Sequence, residues 1–199
     1  MNLPTSEEIR ALHKKYAPAD KVFDLVWNHS NAVLDITQQL IADHKLHVNA
    51  DAVRVGCLLH DIGVYSLFGN DGKFLRNIEY IRHITKGEAI LKAEGFPEYI
   101  WRFASHHTGV GLTSSDILKQ KLPLPKKDYL AESDEEALVM YADKFHSKSN
   151  PPYFNSYAWY GNYLAKFGNE KVGIFEEMVK KFGLPELEPL SKKYGCGIR

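Results

Sequence analysis

The residues best suited to chemistry in this chain are histidines and aspartates set into apolar helical runs. His60 and Asp61 close the run Leu58-Leu59-His60-Asp61-Ile62-Gly63. Adjacent helical positions point about 100° apart, so such a pair can grip one ion from two sides. Ending a buried run on two ionisable groups is costly unless a counter-charge compensates them, and a divalent cation would. Taken alone, the pair also fits a helix-terminal polar cap with no ion. His29 sits midway along a long amphipathic stretch, within a turn of Val26 and Val33, and Asp143 ends the run Val139-Met140-Tyr141-Ala142-Asp143. Alone, the first reads as a core histidine and the second as part of a solvated face. Together the four residues, on three helices, make a mixed nitrogen and oxygen donor set for a hard or borderline metal. Helical bundles build such sites from inward-pointing side chains.

The elements that must position these groups are helical. Apolar residues recur at helical spacing and clean period-2 alternation is absent. A short helix is expected over 6–15, stopping before Pro18, and a long one from about 20 to 45 with Val22, Phe23, Val26, Val33, Leu34, Ile36, Leu40 and Ile41 on one broad stripe. Asn49 caps a third helix over about 50–61, with Gly63 as its C-terminal stop. Residues 64–76 read as a loop. A fourth helix spans about 77–94 and ends at Gly95. Pro97 opens a fifth that reaches His106. Residues 108–133, with Gly109, Gly111, Pro123 and Pro125, read as an irregular excursion with one short helix near 114–119. Helix returns over about 134–148, capped by Ser133 and broken at Asn150-Pro151-Pro152. An aromatic-rich segment follows, then an amphipathic helix carrying Phe175, Met178, Val179 and Phe182 that Gly183 and Pro185 end.

The order His…His-Asp…Asp, with a glycine after the diad, resembles the HD superfamily of phosphohydrolases in its HDIG branch. His60 follows His29 by 31 positions and Asp143 follows Asp61 by 82. The resemblance covers about residues 20–150. It implies an all-α fold, an HD-domain helical bundle with a metal site in its core. It also implies that His29, His60, Asp61 and Asp143 ligate a first metal, with His60 and Asp61 as the catalytic pair. Branches with two metals carry a His followed four positions later by Gly, then a His before a Gly-containing loop. His83 with Gly87 fits the first. His107, opening His-Thr-Gly-Val-Gly-Leu, is the preferred match for the second, and His106 is the alternative. The implied cofactor is a pair of divalent ions bridged by Asp61, drawn from Fe, Mn, Co, Ni, Zn or Mg.

Two departures narrow the resemblance. Many HDIG proteins have Lys directly after the glycine, where this chain has Val64. The cyclic-dinucleotide phosphodiesterase branch has Gly-Tyr-Pro after its histidine pair, where this chain has Val110-Gly111-Leu112-Thr113, which argues against cyclic di-GMP hydrolysis. The HDIG branch with diadenosine-polyphosphate hydrolases is more similar. The expected activity is hydrolysis of a phosphomonoester or phosphoanhydride of a small molecule, a nucleotide above all, by metal-activated hydroxide. Arg82, Lys86 and Lys148 are candidate phosphate cations because each lies near a proposed ligand in sequence. The aromatic stretch 153–167 either stacks a base or packs under the last helix. An HD-like di-iron oxygenase and a non-catalytic metal-binding module are the competing readings.

Composition bounds the partners. Lys+Arg and Asp+Glu are equal at 25 each, so no global field draws the chain to extended nucleic acid or to acidic membranes. The 44% apolar and 25% charged content is ordinary for a globular protein. Residues 1–199 read as a single HD-type domain, with a metal-binding core at about 20–150 and a C-terminal helical extension at about 151–199. Met1 to Arg10 lacks the apolar stretch of a secretory signal, and no apolar run approaches the roughly 20 residues of a membrane span. Cys57, in an apolar run, and Cys196 do not suggest a disulfide framework. A cytoplasmic location is expected, and no Walker-type phosphate loop is present.

Overall fold

The computed structural model describes residues 3–199. Met1 and Asn2, the first residues of the segment read as lacking a secretory signal, lie outside the described residues. Helix α1 (Ser6–Tyr16) starts at a reciprocal cap: the Thr5 hydroxyl accepts from Glu8 N–H while Glu8 accepts from Thr5 N–H. Helix α2 (Asp20–His44) buries Val22, Val26, His29, Val33, Ile36 and Leu40. These positions recur every three to four residues, so His29 occupies a core position of the stripe. Lys45, in the left-handed region at φ 51°, ends the helix.

Helix α3 (Ala50–Leu59) is capped by Asn49, whose side chain accepts from Ala52 N–H, and is buried at seven of its ten positions. It stops earlier than the sequence suggests. His60 still has helical angles, but Asp61 turns to φ −105°, ψ 11°, and the chain continues as a 3-10 helix over Ile62–Leu67. Gly63 is therefore not a helix stop. A Cβ there would lie 2.0 Å from His83 O and 2.3 Å from Gly87 N, so the residue is glycine because two backbones touch. The opposing backbone belongs to α4 (His83–Ala93), which follows a short 3-10 turn, Tyr80–Arg82. Helix α5 (Glu98–Ser105) comes next, with Pro97 at its N-cap.

The excursion 108–133 is better ordered than its glycines and prolines suggest. Helix α6 (Ser114–Gln120) has its own reciprocal cap between Thr113 and Asp116. Beneath it Ile84, Leu112, Ile117, Leu124 and Tyr129 form a satellite core. Helix α7 (Asp134–Asp143) ends five residues before the expected 148. Tertiary bonds take over there: the Asn155 side chain donates to Lys144 O at 2.8 Å and Asn155 N–H to Phe145 O at 2.9 Å. The chain then forms β1 (His146–Ser147), antiparallel to β2 (Tyr153–Phe154). Helices α8 (Tyr157–Leu164), α9 (Asn169–Phe182) and α10 (Leu187–Tyr194) follow. The last strand, β3 (Gly197–Ile198), pairs parallel with β2. Neither α10 nor the three short strands was expected. One hydrophobic cluster runs from Ile9 to Leu190, so the C-terminal helices share the core of the first seven. Among the described residues no helix is long and apolar enough to cross a membrane.

Candidate metal centre

Three helices converge on one buried point. α2 packs on both α3 and α7, and they deliver His29, the His60-Asp61 turn and Asp143. His29 Nε2 lies 3.1 Å from Asp61 Oδ2 and 2.9 Å from Asp143 Oδ1. His60 Nε2 lies 3.4 and 3.5 Å from the same two oxygens. From the other side His83, the first residue of α4, and His107, just after α5, each place Nε2 3.6 Å from Asp61 Oδ1. Asp61 thus belongs to two groups, His29/His60/Asp61/Asp143 and Asp61/His83/His107, and the donor atoms within each lie within 4.8 Å of one another.

The imidazoles are held with Nε2 inward. Nδ1 of His60 donates to Cys57 O at 2.7 Å, that of His83 to Tyr80 O at 2.7 Å and that of His107 to Phe103 O at 3.0 Å. Each bond orients the ring so that Nε2 is the atom that faces Asp61, as in metal-ligating histidines. His29 does the same through a side chain: its Nδ1 is 2.8 Å from Nδ1 of His146. Asp61 is fully buried, yet neither of its oxygens has a well-formed hydrogen bond. A buried carboxylate needs counter-charge; Lys148 lies against one of its oxygens, and the surrounding His and Asp donors fit a divalent ion.

Charge is balanced locally by two lysines. The Lys148 ammonium lies against Asp61 Oδ2. Lys144 Nζ is 2.7 Å from Asp143 Oδ2 and 2.8 Å from His107 O. Burial would raise the Asp61 carboxyl, but Lys148 and His60 hold it well below the usual range. Burial likewise opposes ionisation of Asp143, and Lys144 with the His29 and His60 bonds overrides it. Burial works against a proton on His60, yet Asp61 and Asp143 hold its pKa up at about 9. Burial pushes His83 down to about 3 despite Asp61.

The family model of the HD domain matches residues 26–148. The chain belongs to the HD-domain family. A relative from Picrophilus torridus, a tRNA (cytidine(56)-2'-O)-methyltransferase by name, is 34% identical over 128 residues, 62% of this chain and 32% of that protein. An uncharacterized protein of Methanocaldococcus jannaschii is 35% identical over 121 residues, 59% of this chain and 64% of that one. The chain thus spans about a third of the first relative and under two thirds of the second. Among solved structures, the HD domain of the Listeria monocytogenes phosphodiesterase PgpH, in complex with cyclic-di-AMP, superposes at a TM-score of 0.51. It is 18% identical, covering 90% of this chain and 96% of that one. At that identity the likeness speaks to the fold.

Within the HD fold, the structure separates the sequence candidates. His29, His60, Asp61, His83, His107 and Asp143 come together. His106 does not: its Nδ1 is 2.7 Å from Ser105 Oγ and its Nε2 faces Arg102. Arg82 and Lys86 are exposed and outside the cavity beside the cluster. They lie one position before His83 and Gly87, and the turn that points those two inward points the cations outward. Lys148 does reach the cluster, although from beyond β1 and not from a helix. Two neighbours were missed. Lys144 follows Asp143 directly, but a helical reading sends it away, and His146, three positions past Asp143, is not among the residues of the HDIG pattern. Of the remaining histidines, His13 bonds Tyr65 Oη and Leu58 O, and the His44 ring lies beside Gly183. The cluster floors a cavity of about 660 Å³ whose far wall is α8 and whose near wall is the loop 107–112.

Proposed function

We propose that this HD-domain protein is a metal-dependent phosphohydrolase acting on a phosphomonoester or phosphoanhydride of a small molecule, a nucleotide above all. The observation that carries the reading is Asp61: a buried carboxylate without a well-formed hydrogen bond, shared by two histidine-containing groups and open to a cavity. In this reading His29, His60, Asp61 and Asp143 hold one divalent ion, and Asp61, His83 and His107 a second. Divalent ions so held supply an acidified water and positive charge for a transferring phosphoryl group. The chain's own residues do the rest. The carbonyls of Cys57, Tyr80 and Phe103 lock three imidazoles, and His146 locks the fourth. Lys148 and Lys144, which offset Asp61 and Asp143 here, are the cations nearest to the phosphoryl oxygens; the sequence offered Lys148 for that role together with Arg82 and Lys86, and did not offer Lys144. The cavity volume suits one enclosed small ligand. The PgpH neighbour is the HD domain of a phosphodiesterase in complex with cyclic-di-AMP, which supports phosphoester chemistry on a nucleotide.

Metal analysis of the purified protein, followed by phosphate-release assays with Mn²⁺, Co²⁺, Ni²⁺, Fe²⁺ and Mg²⁺, tests this. Hydrolysis of nucleotides or sugar phosphates is expected to vanish with EDTA and return with added metal. Cleavage of RNA or DNA strands without action on small phosphates would overturn the substrate class. Oxygen-dependent spectral change of an iron-loaded protein that releases no phosphate would favour the oxygenase reading.

A further inference from the structure

The cavity beside the cluster is lined by four lysine and arginine side chains, Lys144, Lys148, Lys171 and Arg199. Three of them already hold a carboxylate: Lys144 pairs with Asp143, Lys148 with Asp61 and Lys171 with Asp116. Arg199 pairs with none among the described residues. Its side-chain hydrogen bond there runs from Nε to Asn155 Oδ1 at 2.8 Å. The two Nη groups, the fork with which an arginine grips a phosphate or a carboxylate through two oxygens, are left without a partner among those residues.

That fork is held in place. Arg199 N–H donates to Phe154 O at 2.9 Å, and Arg199 O accepts from Ser156 N–H at 2.7 Å. The guanidinium carbon lies 3.8 Å from the centre of the Trp159 ring and 5.2 Å from that of Tyr153. Aromatic faces attract a cation and leave its charge and its in-plane N–H donors available. Asn155, the residue that takes Nε, is itself buried at 5% exposure, and its Nδ2 donates to Lys144 O at 2.8 Å. Lys144 in turn reaches Asp143 Oδ2 and His107 O. One hydrogen-bonded relay therefore sets Arg199 relative to the His/Asp cluster across a shared cavity. Ordering a long side chain costs conformational entropy, and here the ordered donors remain unspent.

We infer that Arg199 is an anion subsite: the cavity takes a ligand with two anionic groups, a phosphoryl group at the His/Asp cluster and a second phosphate or carboxylate on the Arg199 fork. The two Nη groups donate to two oxygens of that second group, with Trp159 backing the guanidinium. This deepens the phosphohydrolase reading and rests on it for the group at the cluster.

The test uses the metal-loaded full chain, with AMP as the reference and three ligands that add an anion in different places. ADP adds it next to the first phosphate, adenosine 3',5'-bisphosphate across the ribose, and adenylosuccinate as carboxylates beyond the base. Affinity is read from KM where phosphate is released and from quenching of tryptophan fluorescence where it is not. At least one of the three is expected to bind on the order of tenfold tighter than AMP, as charge-assisted hydrogen bonds allow, and the ligand that does so tells a second phosphate from a carboxylate. Arg199→Gln is expected to erase that difference, and Arg199→Lys, which keeps the charge without the fork, to keep part of it. Each variant is compared with AMP on the same protein, so a general loss of folding does not imitate the result. Equal binding of all four ligands would overturn the inference. So would a difference that survives in Arg199→Gln, which would belong to the metals and lysines of the cluster. Phosphate release in either case leaves the phosphohydrolase reading standing. A difference that Arg199→Gln erases, without phosphate release from any ligand, would support the subsite and sink the hydrolase.

Discussion

Two buried polar clusters share the adjacent residues His106 and His107, and they are built on opposite principles. His106 joins Arg102 and Glu136. Arg102 donates from Nε and Nη2 to the two Glu136 oxygens at 2.8 and 3.1 Å, again from Nη2 to Leu130 O, and pairs with Glu132 through Nη1. Glu136 also accepts from Glu132 N–H. The cluster closes on itself, and it ties the loop 108–133 to α5 and α7. His107 joins the other cluster, where four Nε2 atoms and the Lys148 ammonium surround the Asp61 carboxylate, and none of them satisfies it with good geometry. A structural cluster uses up its polar groups. A binding cluster keeps some directed at a ligand, and the surrounding shell holds them there.

The sharpest break of this contrast is at Asp61. Asp61→Ala is expected to remove bound metal and all hydrolysis while the helical circular dichroism remains. Metal content of the purified variant by mass spectrometry checks it, and full occupancy would mean that Asp61 is not the shared ligand. Arg102→Met is the opposite experiment. It leaves Glu136 buried without its partner, which costs roughly 3–5 kcal/mol, read as a lowered urea midpoint. Metal stoichiometry at low temperature should stay at the wild-type value. If Arg102→Met instead empties the metal centre with little loss of stability, the two clusters are one unit.

How far these clusters can be read in the sequence differs between them. Part of the HD-type centre was legible from helical period and apolar neighbours, His29 on the α2 stripe and His60-Asp61 at the close of α3; the ligand set as a whole, and His83 with Gly87 on α4, came from the resemblance to the HDIG pattern. The overall helical class was legible from the same period. What failed depended on contacts between distant segments. Asn155 takes the carbonyls that would have extended α7 to residue 148, so His146 and Lys148 reach the site along a strand. Gly63 reads locally as a helix stop, and only α4 shows it to be a point of backbone contact. Between His106 and His107, the motif favoured His107, but only the burial of Arg102 explains where His106 goes.

That pair gives the next test. His83→Ala and His107→Ala are each expected to lower metal stoichiometry from two ions toward one, leaving the His29/His60/Asp61/Asp143 group filled. His106→Ala should leave stoichiometry as in the wild type. Loss of an ion in His106→Ala alone would reverse the assignment of the two histidines. Unchanged stoichiometry in all three would make the centre mononuclear.

The smallest expected effect is in the acid sensitivity of the closed cluster. Burial and the adjacent Arg102 and Lys127 charges push His106 down to about 4, from the ordinary 6.5. Above pH 6.5 the residue is neutral folded and unfolded, and it contributes no pH dependence. As pH falls from 6.5 toward 4 the unfolded chain binds a proton that the folded chain refuses, so stability declines across that window. Below about 4 both states carry the proton and the decline ends. His106→Gln keeps a polar side chain of similar reach that does not titrate. It should therefore flatten the fall in urea midpoint between pH 6.5 and 4.5, corresponding to uptake of up to one proton on unfolding. His13, buried at the other end of the core and lowered to about 4 by the loss of hydration, contributes to the same decline, so the slope should lessen and not vanish. A His106→Gln protein whose stability falls with acid as steeply as the wild type would place the His106 ring in freer contact with water than the closed cluster allows.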